Sequence, residues 1–387
     1  MQVNTVTLTA RGTERQKSGH PWIYRSDVSS APEKPGLYAV KSAGGKHLGW
    51  AAVNKKSEIT VRMLTRFEQV ADEALLLKRL SSAIDARVQM QIDADSYRVV
   101  HSDADGLPGL TIDKYNDILV VQSNCAALEP FLDAFLEVLI ERFQPVGVLA
   151  RFDSKTRLLE GLDQNVFEAF GNVPESVVAR EGSVKFLVDP WHGQKTGAFL
   201  DQRDNRIALE RYAKGTALDV FSYHASFGLH LAKVCESVEC VDSSAVALER
   251  GAENAKLNKL ENMIFTNANA FEFLREREQA GAKYQTISLD PPALAKARRD
   301  LESAYRAYKE INLRALKLLS PGGILGTASC SFHVSENDFY IMLTDAAKDS
   351  GRTVRVLERR GQGLDHPELL QLPESRYLKY AILEVVD

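Results

Sequence analysis

Two short stretches of the 387-residue chain carry side chains suited to covalent chemistry. The first is Ile287-Ser288-Leu289-Asp290-Pro291-Pro292, an apolar run closed by a carboxylate and two prolines. The second is Thr327-Ala328-Ser329-Cys330-Ser331, which ends on a lone cysteine between serines. Both read as buried strands, and in an open α/β sheet the carboxyl ends of strands meet at the ligand crevice. An ionised thiol is a nucleophile, and a nearby carboxyl can donate or accept a proton. Against this stand two structural readings: an inert buried cysteine, and an aspartate that only ends its strand.

The elements that must position these residues follow from the alternation of patterns after about Phe186. Ala217–Phe221, Val238–Asp242, Ile264–Thr266, Thr286–Leu289 and Gly323–Ala328 read as strands. They are separated by helices over Gly228–Val234, Ser244–Asn258 and Leu301–Leu319, the last stopped by Ser320-Pro321-Gly322-Gly323. Strand–helix alternation of this kind predicts an α/β, Rossmann-like sheet that is mostly parallel and doubly wound. Thr353–Glu358 and Leu378–Val385 can close it.

Upstream, residues 1 to about 66 read as short strands (Val3–Leu8, Gly36–Val40, His47–Val53 and Glu58–Leu64) in a small β-rich unit. Its basic residues Arg11, Arg15, Lys17, Arg25, Lys55, Lys56 and Arg62 lie near the aromatic segment Gly19-His20-Pro21-Trp22-Ile23-Tyr24. Cations beside aromatics suit RNA, by stacking and phosphate contact; the plainer reading is a packed tryptophan on a solvated module. An α+β middle unit follows, with helices over Glu68–Gln91 and Pro130–Arg142. Its strands are Tyr97–His101, Leu110–Lys114, Ile118–Gln122 and Val146–Arg151, continued by Asn165–Glu168 and Val184–Val188. The expected domains are 1–70, 71–182 and 183–387. Asp103 and Asp105 read as a solvated turn rather than metal ligands, and no metal is expected.

Composition is ordinary for a globular chain, with 44% hydrophobic and 26% charged residues, and the net charge of -4 exerts no global pull toward nucleic acid. No apolar run has the roughly 20 residues that span a bilayer, and the first residues lack a signal-peptide core, so a cytoplasmic location is expected. Cys125, Cys235, Cys240 and Cys330 show no metal or disulfide spacing.

The cofactor signals sit at successive strand ends. Asp219-Val220-Phe221-Ser222-Tyr223-His224-Ala225-Ser226-Phe227-Gly228 has no Gly-x-Gly-x-x-Gly phosphate cradle, which disfavours a dinucleotide. Asp242, followed by Ser243, can take ribose hydroxyls or cap the next helix. Asn269, before Ala270, can read an adenine amine or be an ordinary loop residue. In this order they point to an adenosine-bearing cofactor held without a phosphate cradle, S-adenosyl-L-methionine.

With these residues in view the chain resembles the bacterial 23S rRNA cytosine-C5 methyltransferases, in which a PUA domain precedes a class I methyltransferase domain. The resemblance runs through Gly19-His20-Pro21-Trp22-Ile23, Asp105-Gly106-Leu107-Pro108-Gly109-Leu110 and Gly193-Gln194-Lys195-Thr196-Gly197-Ala198-Phe199-Leu200-Asp201-Gln202-Arg203. It continues in Asp219-Val220-Phe221-Ser222-Tyr223, Leu289-Asp290-Pro291-Pro292 and Ala328-Ser329-Cys330-Ser331. One departure stands out: Ala225 and Ser226 occupy positions where the family carries glycines.

The resemblance implies 23S rRNA, of the large ribosomal subunit or its precursor, as partner, with a homodimer left open. It implies Cys330 as nucleophile and Asp290 as acid. The cofactor would be bound by Asp219, Phe221, Ser222, Tyr223, Asp242, Ser243, Asn269, Ala270, Asp290 and Pro291, with Phe199 reaching over it and Arg203 pairing nearby. Lys296 could support the thiolate or meet a phosphate, and Arg298, Arg299, Arg306 and Lys309 could hold the RNA backbone. Ala293 after Pro292, where amine methyltransferases place an aromatic, favours a carbon acceptor. Uracil-C5 methylation uses the same covalent logic and remains open. A non-catalytic RNA-binding protein with a degenerate cofactor loop is the other alternative.

Overall fold

The computed structural model describes residues 5–66, 68–295 and 297–387. They form two compact units: Met1–Ala179 with Val188–Leu200 and Leu364–Ser375, and Arg180–Leu187 with Asp201–Gly363 and Arg376–Asp387.

The first unit carries a six-stranded sheet in the order Trp22–Ile23, Val61–Met63, His47–Val53, Gly36–Lys41, Thr5–Leu8 and Val28–Ser30. Val6, Leu8, Ile23, Val40, Ala51, Val53 and Val61 form its core. The expected strand Glu58–Leu64 shortens to Val61–Met63, and Ala10–Lys17, not anticipated, is a helix capped by Thr9. Its buried residues are Gly12, Thr13 and Gln16, so it shows no apolar period to read; a Cβ on Gly12 would lie 2.2 Å from the Asp27 carbonyl oxygen. Beside it a five-stranded sheet runs Asn165–Gly171, Gly147–Phe152, Ile118–Ser123, Leu110–Tyr115, Ser96–His101, with helices Glu73–Gln89 and Leu132–Phe143. Asp105 pairs with Arg87 at 2.6 Å, and no metal-binding cluster occurs among the described residues.

The second unit is a seven-stranded sheet. Its strands are β1 Thr216–Val220, β2 Ser237–Asp242, β3 Met263–Asn267, β4 Tyr284–Leu289, β5 Leu319–Ser329, β6 Val354–Arg360 and β7 Lys379–Val385. The order β3-β2-β1-β4-β5-β7-β6 is parallel through β5; β7 is antiparallel to both neighbours. Leu218, Val220, Val241, Ile287, Leu289 and Leu325 are buried between flanking helices, as expected of strands covered on both faces. The register pairs Val220 with Leu289 and Leu289 with Thr327, so the chain leaves β1, β4 and β5 on one edge. The helix Leu301–Leu318 ends one residue before the expected stop. There β5 begins at once and takes Ser320-Pro321-Gly322-Gly323 into an irregular register against β4. At Gly326 a side chain is excluded, because a Cβ would come within 2.3 Å of the Tyr380 hydroxyl.

A buried charge cluster sits in this unit. Arg206 donates to Glu181 Oε2 at 2.6 Å, and His230 bridges Glu181 at 2.9 Å and Glu210 at 2.5 Å. Burial pulls His230 toward neutrality, but the two carboxylates outweigh it and raise its pKa; a protonated ring donates from both nitrogens. Glu181→Gln removes the carboxylate that two buried cations share, so unfolding free energy in urea should fall by about 3–5 kcal/mol.

Candidate active site

The thiol is linked to the backbone of the residue that follows the acid. Cys330 Sγ lies 3.8 Å from the carbonyl oxygen of Pro291, so the turn after β4 and the end of β5 meet. Cys330 is partly accessible, whereas Cys125, Cys235 and Cys240 are buried. Burial pushes the thiols of Cys125 and Cys235 up to about 11, which makes them poor nucleophiles.

Ser331, 0% exposed, fixes this junction. Its hydroxyl accepts from Ala295 N–H at 3.0 Å and meets the Tyr308 hydroxyl at 2.9 Å, and its carbonyl accepts from Lys379 Nζ at 2.7 Å. The sequence shows Ser331 only as a neighbour of Cys330 and assigns no role to Tyr308 or Lys379. The available signal was a lysine inside the apolar run Leu378-Lys379-Tyr380-Ala381-Ile382-Leu383.

Asp290 is held by a residue that sequence reasoning left unassigned. Gln202 donates to Asp290 Oδ1 at 2.8 Å, while Asn205 donates to the Gln202 oxygen at 2.7 Å and so orients the amide. Withdrawal from water, then the nearby Asp201 charge, raises the Asp290 pKa to about 7; Gln202 and Arg206 oppose the rise. The carboxyl can therefore carry a proton near neutrality. Asp219 is likewise raised to about 7, mainly by burial, and its Oδ2 accepts from Gly228 N–H at 2.8 Å.

The loop after β1 is shaped by backbone conformation. Phe221 (φ 64°), Tyr223 (φ 49°) and Ala225 (φ 62°) lie in the left-handed region. Of the two positions where the resemblance implies glycine, only Ala225 makes that demand, at about 1–2 kcal/mol for an L-residue. Ser226 instead starts the helix Ser226–Ala232. Asp242 braces the loop: its Oδ2 accepts from Tyr223 N–H and its Oδ1 from Ser244 N–H, both at 2.9 Å. Ser222 Oγ is buried without a hydrogen-bond partner among the described residues. Asn269 caps the helix Ala270–Gln279 by accepting from Phe271 and Glu272 N–H groups, the structural role set against adenine recognition. Ser243 is exposed, and Ala270 and Pro291 are buried.

Phe199 belongs to the segment Val188–Leu200 of the first unit. Arg203 is 1% exposed and pairs with Asp204 at 2.9 Å. Trp22 donates to Asp103 at 2.9 Å, and Arg11, Arg25, Lys55 and Arg62 have carboxylate partners, so much of the aromatic and basic face expected for RNA is internally paired. Arg306 pairs with Glu302 and Lys309 with Asp349; these are surface pairs of small energy. Lys296 and the side chain of Arg298 lie outside the described residues.

A PUA-like domain profile matches residues 6–66, and an S-adenosylmethionine-dependent methyltransferase profile matches residues 165–372. Ribosomal RNA large subunit methyltransferase I of Vibrio cholerae is 38% identical over 373 residues, covering 93% of this chain and 94% of that protein. The chain belongs to this methyltransferase family. The protein of the same name from Pseudoalteromonas translucida is 35% identical and covered to 99%, as is this chain. A solved structure described as a SAM-dependent methyltransferase from Streptococcus mutans shares the fold, with a TM-score of 0.82 at 19% identity, covering 98% of this chain and 100% of that one. A second solved methyltransferase, complexed with SAH, superposes with a TM-score of 0.84 at 19% identity, over 98% and 100% of the two chains. The protein is thus an enzyme, dependent on S-adenosylmethionine.

The residues present fit that cofactor. Ser222 Oγ has an unspent hydrogen-bond capacity, and each oxygen of Asp242 retains a lone pair for a ribose hydroxyl. Gly228 lets the following helix pack closely: a Cβ there would sit 2.5 Å from Cys240 Sγ and 3.2 Å from Asp219 Oδ2. Gly228→Ala should lower stability by about 1–3 kcal/mol through overpacking. Adding Cys240→Ala should recover part of the loss, giving a measurable coupling in a denaturant double-mutant cycle.

Proposed function

We propose that this methyltransferase forms 5-methylcytosine in 23S rRNA, with Cys330 as nucleophile and Asp290 as the acid that steadies the base. The observation that supports this most is the 3.8 Å approach of Cys330 Sγ to Pro291 O, which sets a partly accessible thiol against the backbone of the residue after Asp290, whose carboxyl is able to hold a proton. The names of the Vibrio and Pseudoalteromonas relatives support large-subunit rRNA as the acceptor. In this reading residues 1–70 engage the RNA, and residues 183–387 do the chemistry in the cytoplasm.

Cytosine C5 is a weak nucleophile until the ring is activated. The Cys330 thiolate adds to C6, forming the S–C6 bond, and the C5=C6 electron pair shifts so that C5 becomes enamine-like. Negative charge developing toward N3 is met by a proton or hydrogen bond from Asp290. S-adenosylmethionine, when bound, supplies an electrophilic methyl group for C5. Loss of the C5 proton re-forms C5=C6 and expels the thiolate. Held near the ends of β1 and β2, Asp242, Ser222 and Phe221 would bind the cofactor. The base must stand out of its helix for the thiol to reach the ring face.

The deciding experiment uses methyl-labelled cofactor and 23S rRNA from cells lacking the protein, with digestion to nucleosides. Label should appear in 5-methylcytidine and vanish with Cys330→Ala; label in 5-methyluridine would correct the base, and label unaffected by the substitution would refute the nucleophile. Because Asp290 is raised, its useful protonated form is present below about pH 7 and lost above it. The native kcat/KM profile should therefore carry an alkaline limb, which Asp290→Asn abolishes while lowering the rate on the order of 10²-fold.

A further inference from the structure

Lys379 opens β7, where it is followed by the buried run Tyr380-Ala381-Ile382-Leu383, and is itself 4% exposed. Its Nζ donates to the carbonyl oxygens of Ser331 at 2.7 Å and Tyr377 at 2.9 Å. An ammonium has three N–H bonds, and two of them are used by these carbonyls. No carboxylate forms an ion pair with Lys379 among the described residues, and a buried cation without a counter-charge is costly. Among the described residues, the charged and titratable groups that act on it are Cys330 at the end of β5, Arg376 just ahead of β7, and Glu336 at the start of the helix Glu336–Ser350. Glu336 is engaged by Arg376 at 2.9 Å. Tyr308, bonded to the Ser331 hydroxyl, also feels Cys330. Burial draws the Lys379 pKa down to about 8, and Cys330 is the strongest influence acting the other way.

We propose that Lys379 is the counter-charge of the Cys330 thiolate, a buried ammonium that positions and ionises the nucleophile while anchored on the carbonyl of the next residue, Ser331. The proposal rests on Cys330 being the reactive thiol of the function proposed above. It gives Lys379 a place in the chemistry without contact to substrate: it is a positioning residue, acting through Cys330. A nearby opposite charge favours the ionised form of a thiol, so the pair raises the thiolate fraction at neutral pH.

The test reads the thiol itself. Full-length protein is treated with iodoacetamide across a pH series, and the rate of alkylation at Cys330 is followed by peptide mass spectrometry. Buried Cys125, Cys235 and Cys240 remain unlabelled in folded protein and report on any variant that has lost its fold. In the native enzyme the midpoint should lie clearly below the value of about 8.5 for a free cysteine. Lys379→Gln should raise it by about one unit or more, and Lys379→Arg, which keeps the charge, should restore most of the shift. A native midpoint at or above the free-cysteine value overturns the proposal even if Lys379→Gln does not fold, and equal midpoints in native and Lys379→Gln protein overturn it as well. A shifted midpoint together with undiminished methylation by Cys330→Ala would keep the ion pair and refute only the nucleophile assignment.

Discussion

The chemistry of the second unit hangs on the parallel pairing of β4 with β5. Leu289 lies opposite Thr327, so the chain leaves the two strands side by side as Asp290-Pro291-Pro292 and Cys330-Ser331. A slip of one residue would turn every side chain of one strand to the other face. Burial of the strands on both faces, by Leu218, Ile287, Leu289 and Leu325 among others, makes that slip prohibitive. Ser331 then ties the junction to the Ala295 backbone, Tyr308 and Lys379. Strand register and three hydrogen bonds thus define where an acid and a thiol can meet.

Burial does more than position these groups. It moves Asp219 and Asp290 up to about 7 and Lys379 down to about 8, bringing all three toward the pH at which cells work. Carboxyls that titrate near neutrality can hold or release a proton there, as an ordinary surface aspartate cannot. The same withdrawal from water pushes the thiols of Cys125 and Cys235 up to about 11, where they are inert. Accessibility at the crevice separates Cys330 from these two.

Much of this was legible in sequence. Alternating strand and helix patterns identify the Rossmann-like sheet because each buried parallel strand must be a short apolar run, and Asp290 and Cys330 end two such runs. The cofactor loop was legible in part: a backbone demand at Ala225 is real, whereas Ser226 simply begins a helix. What escaped depends on distant contacts. Gln202 reaches Asp290 across 88 residues and Lys379 reaches Ser331 across 48. No local spacing encodes either. The helix Ala10–Lys17 escaped for a different reason, since it buries Gly12, Thr13 and Gln16 instead of an apolar stripe. Conversely, residues that looked free to meet RNA, Trp22 and Arg62 among them, are engaged inside their own unit.

The central claim, that Cys330 adds to C6 of a cytosine, is tested most directly by arresting the reaction after that bond forms. In rRNA carrying 5-fluorocytidine, C5 bears fluorine in place of the proton whose loss releases the enzyme. With S-adenosylmethionine present, the account predicts a denaturation-resistant protein–RNA complex whose cross-linked peptide maps to Cys330. A complex mapped to another residue, or methylation of unmodified rRNA with no complex on the fluorinated RNA, would contradict it.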